Sequence, residues 1–64
     1  QSKFEGSGRQ ARGAIVRYLT ANGSARLEEV SSAESVEYER LEAAAKKLMD
    51  EGFVAESGGV YRIR

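Results

Sequence analysis

The sequence predicts an α+β fold, three helices followed by a two-stranded β-hairpin, and three stretches carry that reading. Residues 35–52, SVEYERLEAAAKKLMDEG, hold the longest unbroken helical pattern. Residues 11–19 repeat apolar side chains at helical spacing, and Gly58-Gly59 separates two short runs of strand-forming residues.

In chain order, residues 1–8 are polar and hold two glycines, so they read as an irregular lead-in with Phe4 as its anchor to the body. The domain proper is expected over residues 9–64. Ser7 and Gln10 have the three-residue spacing of a capping box. Ala11, Ala14, Ile15, Tyr18 and Leu19 then fall on one face of a first helix. Gly13 interrupts it at a cost of about 1 kcal/mol against Ala, which suggests that something approaches its bare backbone. Arg9, Val16 and Thr20 face away from the stripe, with Arg12 and Arg17 on its flanks. Asn22-Gly23 ends the helix, since both residues tolerate positive φ.

Ser24 and Ala25 read as a short extended piece, and residues 27–31 as a short second helix with Leu27 and Val30 inward. Its cap position falls on Arg26, a poor capping residue. The third helix is expected to start from Ser35 as N-cap. Tyr38, Leu41, Ala44, Ala45, Leu48 and Met49 form its inward stripe, and Val36, Glu39, Arg40, Ala43, Lys46, Lys47 and Asp50 its outward face. Gly52 can take the left-handed conformation that closes a helix, with Phe53 folding back onto Leu48 in a Schellman arrangement. Gly58-Gly59 suits a type I′ turn, which puts Val54 opposite Ile63 and Glu56 opposite Tyr61. Val54, Tyr61 and Ile63 then share the inner face while Arg62 and Arg64 point outward. This order of elements is that of a winged helix-turn-helix, the hairpin being the wing.

A chain of 64 residues buries about 60% of its unfolded surface, too little for a large catalytic cleft. It contains no cysteine and no histidine, which removes disulfides, zinc fingers, thiol nucleophiles and imidazole bases. Its apolar runs fall far short of the roughly 20 residues a membrane span needs, and no signal-peptide core is present, so a cytoplasmic location and no membrane partner are expected. The first residue is Gln, as in a piece cut from a longer protein.

The formal charge is zero but unevenly spread: +4 over residues 1–26, −5 over 27–42 and +1 over the remainder. Lys3, Arg9, Arg12, Arg17, Arg26, Arg62 and Arg64 are the candidate nucleic-acid-binding residues, because a basic side can attract phosphate even when the net charge cannot. The glutamates cluster around helix starts, where they complement the helix dipole, so the chain is not expected to be an enzyme and no catalytic residue is assigned. The glycines lack the strand and lysine of a phosphate-binding loop. No metal ligand set and no cofactor is expected in this chain. Glu34, Glu37 and Glu39 flank the N-terminus of the third helix, where a base-reading helix brings Arg, Lys, Asn or Gln to the major groove, so strong sequence-specific reading is disfavoured. The same helix offers Val36, Arg40, Ala43 and Lys47 as a candidate protein interface.

The stretch FEGSGRQARGAIVRYL, residues 4–19, resembles the C-terminal winged-helix region of short A/G-specific adenine DNA glycosylases, which carry a similar G-[ST]-D-R-Q-x-R-G motif after the catalytic domain. Gly6, Ser7, Arg9, Gln10, Arg12 and Gly13 match it, and LMDEGFV and GVYRI fit the same helix-then-hairpin ending. Gly8 stands where that motif usually has Asp. The resemblance implies a parent that removes mispaired adenine by base flipping, with an iron–sulfur cluster and catalytic acids outside these residues. The expected function is therefore an accessory winged-helix domain assisting weak, nonspecific duplex DNA binding by a DNA-repair parent. Its partners are duplex DNA and the parent's catalytic domain or another protein. The alternatives are a protein-interaction winged helix and the DNA-binding domain of a transcriptional regulator.

Overall fold

The computed structural model describes the backbone of residues 3–64 and the side chains of residues 9–64. Its elements are α1 (Lys3–Asn22), β1 (Ser24–Arg26), α2 (Leu27–Glu34), α3 (Tyr38–Asp50), β2 (Val54–Ser57) and β3 (Val60–Ile63). The class is α+β as expected, with three helices packed on one antiparallel sheet. The sheet has three strands in the order β1-β3-β2, where the sequence suggests a two-stranded hairpin. The extra strand is the short piece after Gly23, whose Ser24, Ala25 and Arg26 pair with Arg62, Tyr61 and Val60. The hairpin register is the expected one, Val54 opposite Ile63 through to Ser57 opposite Val60. Both turn glycines have positive φ, 58° and 88°, as a type I′ turn requires.

One core joins all elements. Ala11, Ala14, Ile15 and Leu19 of α1 meet Leu27 and Val30 of α2 and Leu41, Ala44, Ala45 and Leu48 of α3. Ala25 and Val54 add the sheet's inner face, and Tyr18, Met49 and Tyr61 pack at the margin. These are the residues that the helical and alternating periodicities select. The third helix ends as expected, with Gly52 at φ 84°. The Gly52 N–H donates to the Met49 carbonyl at 3.0 Å and the Phe53 N–H to the Leu48 carbonyl at 2.9 Å, the two bonds of a Schellman motif. The Phe53 residue itself stays 55% exposed.

Several expectations change. Of the lead-in expected over residues 1–8, residues 3–8 are helical, while Gln1, Ser2 and the side chain of Phe4 lie outside the described residues. Ser7 and Gln10 therefore sit inside α1 and mark no start. Each added helical residue gains a backbone hydrogen bond, so a helix nucleated by the core-facing segment propagates outward through poor formers. Among the described residues Gly13 has no close neighbour: a Cβ there would lie 4.0 Å from Arg17 Nη1 and meet nothing nearer.

The junction between α2 and α3 differs most. The second helix runs on to Glu34, and Ser35 stops it in the left-handed conformation, φ 58° and ψ 42°. Ser35 thus ends α2, while the N-cap of α3 is Glu37, in extended backbone. Between them Val36 is only 5% exposed, a core residue where an outward one is expected. It precedes the helix, so the helical wheel that placed it outside does not apply to it. Ser31 fixes the turn by donating its hydroxyl to the Val36 carbonyl at 2.6 Å. Tyr38, expected inward, begins α3 at the rim of the stripe and is 41% exposed. Ile63, expected on the inner face, is 39% exposed. At the start of α2 the Arg26 N–H donates to Glu29 Oε1 at 3.4 Å, which offsets the missing acceptor on the arginine side chain.

Candidate nucleic-acid interface

The expected cations do not gather on one side. On α1, Arg12 and Arg17 leave opposite flanks of the helix and each meets a carboxylate. Arg12 Nη2 lies 3.0 Å from Glu51 Oε1, just past the end of α3, and Arg17 Nη2 lies 2.8 Å from Glu34 Oε1 at the end of α2. The Glu34 hydrogen bond and its charge raise the Arg17 pKa above its ordinary value. These are solvent-screened surface ion pairs that add little to stability, but each already supplies the anion that a phosphate would have to displace. Arg9 is exposed on the outer side of α1, and the side chain of Lys3 lies outside the described residues.

The sheet gives a different picture. Alternation along the strands puts Ser24, Arg26, Ala55, Ser57, Val60 and Arg62 on the face turned away from the helices. Arg64 continues that face, its N–H donating to the Phe53 carbonyl at 3.0 Å. Arg26, Arg62 and Arg64 are exposed there, and no salt bridge engages them among the described residues. Arg26 sits opposite Val60, which makes Arg62 its diagonal neighbour on the same face, within about 7–8 Å between Cα atoms. The Arg26 guanidinium lies beside the wing turn: a Cβ on Gly59 would come within 2.9 Å of Arg26 Nη1. Glu56, the only acid of the strands, belongs to the inner face, and its Oε2 accepts the Gly59 N–H at 2.7 Å.

Between α3 and the wing the sign reverses. Glu39, Glu42, Ala43, Lys46, Met49 and Tyr61 line a shallow depression. The Tyr61 pKa is raised above the usual tyrosine value, first by burial and then by the negative charge of Glu56, the nearby Tyr38 and Glu42. A duplex laid along α3 with the wing beside it would face this carboxylate-rich flank, so the usual base-reading pose is electrostatically opposed.

On the other side of α3 a groove of about 300 Å³ runs against α1, lined by Arg12, Arg40, Ala43, Ala44 and Lys47. It joins one candidate phosphate contact, Arg12, with three of the candidate protein-interface residues, Arg40, Ala43 and Lys47. Val36, the fourth, is buried in the core and takes no part. Arg40 Nε is held 3.2 Å from Glu37 Oε1 one turn earlier. That pair has the i,i+3 spacing a sequence can show, whereas the Arg12 and Arg17 partners come from other helices and leave no local signal.

No protein-family model, curated protein or solved structure matches the chain.

Proposed function

We propose that this chain is a winged-helix accessory domain that lends a DNA-acting parent weak, nonspecific contacts to duplex phosphates through the outer face of its sheet. The observation that carries the reading is the exposed group Arg26, Arg62 and Arg64, gathered on a strand face that presents no acidic residue. The element order, with the short strand between the first two helices completing the wing's sheet, supports the winged-helix assignment. The similarity of residues 4–19 to the C-terminal region of adenine DNA glycosylases supports a base-excision parent, with the catalytic acids and cluster carried elsewhere.

Phosphate contacts fix position without reading sequence, so affinity should hardly depend on the duplex chosen. With so few cations, binding should fall in the nonspecific range of about 10⁻⁴ to 10⁻⁶ M. Fluorescence anisotropy with two unrelated duplexes over a salt series tests this. Arg62→Gln with Arg64→Gln should weaken both complexes alike and lower the slope of log K against log salt by about 1.8, or 0.9 per lost contact. A marked preference for one duplex, or an unchanged slope in the double variant, overturns the reading.

A further inference from the structure

We infer that the outer face of the sheet is a site for an unpaired nucleotide of single-stranded DNA, whose base stacks on the Phe53 ring while Arg62 and Arg64 hold the adjoining phosphates. The inference rests on the phosphate reading of that face and deepens it by naming the form of DNA that the face fits best. The Phe53 carbonyl accepts the Arg64 N–H at 3.0 Å, which extends the hairpin ladder one pair beyond Val54 and Ile63. Alternation then puts Phe53 on the same face as Ala55, Arg62 and Arg64, away from the helices. At 55% it is the most exposed large apolar side chain among the described residues, and it is not packed against the core.

This aromatic stands on a fixed backbone. The Phe53 N–H donates to the Leu48 carbonyl at 2.9 Å, so both backbone groups of the residue are held and little backbone ordering remains to be lost on binding. Cross-strand pairing sets Arg64 directly opposite the ring, at about 4.5–5.5 Å between Cβ atoms, and Arg62 on the diagonal at about 7–8 Å. Ala55, two residues along the same strand, is small and leaves the surface beside the ring low enough for a flat base. Arg12 and Arg40 are held by Glu51 and Glu37, but Arg62 and Arg64 form no salt bridge among the described residues, so their charge is open to phosphate. A duplex can use these arginines but not the ring, because its base faces are already stacked on one another. A single strand offers a base face together with its phosphates, the pairing of stacking platform and basic track that holds single strands.

Fluorescence anisotropy at low salt with two labelled strands of about 12 nucleotides, one of thymidylate and one abasic throughout, tests the inference. Both carry the same phosphates, and only the first carries bases. The wild-type domain should bind the thymidylate strand about fivefold or more tightly than the abasic strand. Phe53→Leu should remove that difference and leave the salt slope on both strands unchanged, while Phe53→Trp should keep or widen it. Arg62→Gln with Arg64→Gln should instead weaken both strands and lower each salt slope by about 1.4, or 0.7 per lost contact. Phe53 is exposed, so the leucine variant should keep the urea midpoint of the wild type, and the two-strand comparison on the wild type decides even without it. The inference is overturned if the wild type binds the two strands equally or if Phe53→Leu retains the difference. The phosphate reading then stands as long as the double arginine variant still weakens both strands, and falls too if that variant binds as the wild type does. Displacement of the thymidylate strand by an amphipathic Leu/Glu peptide would make the face a protein site and overturn the inference as well.

Discussion

The outer face of the sheet and the flanks of α1 both present arginines to solvent, yet among the described residues Arg12 and Arg17 on those flanks are held by carboxylates while Arg26, Arg62 and Arg64 on the sheet are not. Arg26, Arg62 and Arg64 project from strands whose alternation sends the only strand acid, Glu56, to the opposite face. Arg12 and Arg17 project from a helix whose neighbours end beside it, and those ends bring Glu51 and Glu34 within 3.0 and 2.8 Å. Charge counted along a sequence is therefore not charge available to a ligand. Availability depends on which chain ends the tertiary fold brings alongside.

Several changes would break or sharpen this contrast. The largest effect is expected at the wing turn. Gly59→Ala puts a side chain at φ 88° and drives its Cβ to 2.9 Å from Arg26 Nη1. It should cost more than about 1 kcal/mol in urea unfolding and also weaken duplex binding by displacing Arg26. An unchanged unfolding midpoint would mean that the turn does not hold this geometry.

Gly13→Ala should act in the opposite direction. The site lies within α1, and among the described residues the added methyl would meet nothing nearer than Arg17 Nη1 at 4.0 Å. Stability should rise by about 0.4–1 kcal/mol with no change in duplex affinity. Destabilisation would reveal a close approach at this face of the helix.

Replacing Arg12 and Arg17 together by Gln should lower the urea midpoint only slightly, since both ion pairs are screened by solvent. It should also leave the salt slope of duplex binding where it was, unlike the sheet variant.

The smallest effect is expected at high pH. The folded domain raises the Tyr61 pKa above its unfolded value of about 10. The unfolded chain therefore loses the Tyr61 proton first as pH rises. The contribution is complete below pH 10 and declines as pH climbs through the folded pKa. Tyr61→Phe should flatten that part of the stability curve, and an equal decline in the variant would assign it to other groups.

What the sequence makes legible follows from the range of the forces involved. The core stripes of α1 and, apart from Tyr38 at its rim, of α3, together with the Gly52 stop and the Gly58-Gly59 hairpin register, depend on neighbours within a few residues, and these appear in the structure. Val36 is misread because a helical wheel carried back from α3 does not hold where the backbone turns and buries it against the core, and Ser35 because a residue suited to an N-cap instead takes the left-handed stop of α2. The third strand is hidden in three residues whose partner lies near the other end of the chain. The split of the arginines is hidden for the same reason, because Glu51 is distant in sequence from Arg12 and the pair exists only once α1 and α3 pack. Arg40, Ala43 and Lys47 share a groove because they share a helix face, and the helical period alone brings them together.

The central claim is that the exposed sheet face, and not α1 or the outer side of α3, meets the phosphates. Following the backbone amide signals of the labelled domain during titration with a short duplex at low salt tests it most directly. The account predicts that shifts concentrate at Ser24, Arg26, Val60, Arg62 and Arg64 and vanish together as salt is raised. Shifts centred instead on Arg12 and Arg17, or on Glu39, Ala43 and Lys46 of α3, would contradict it.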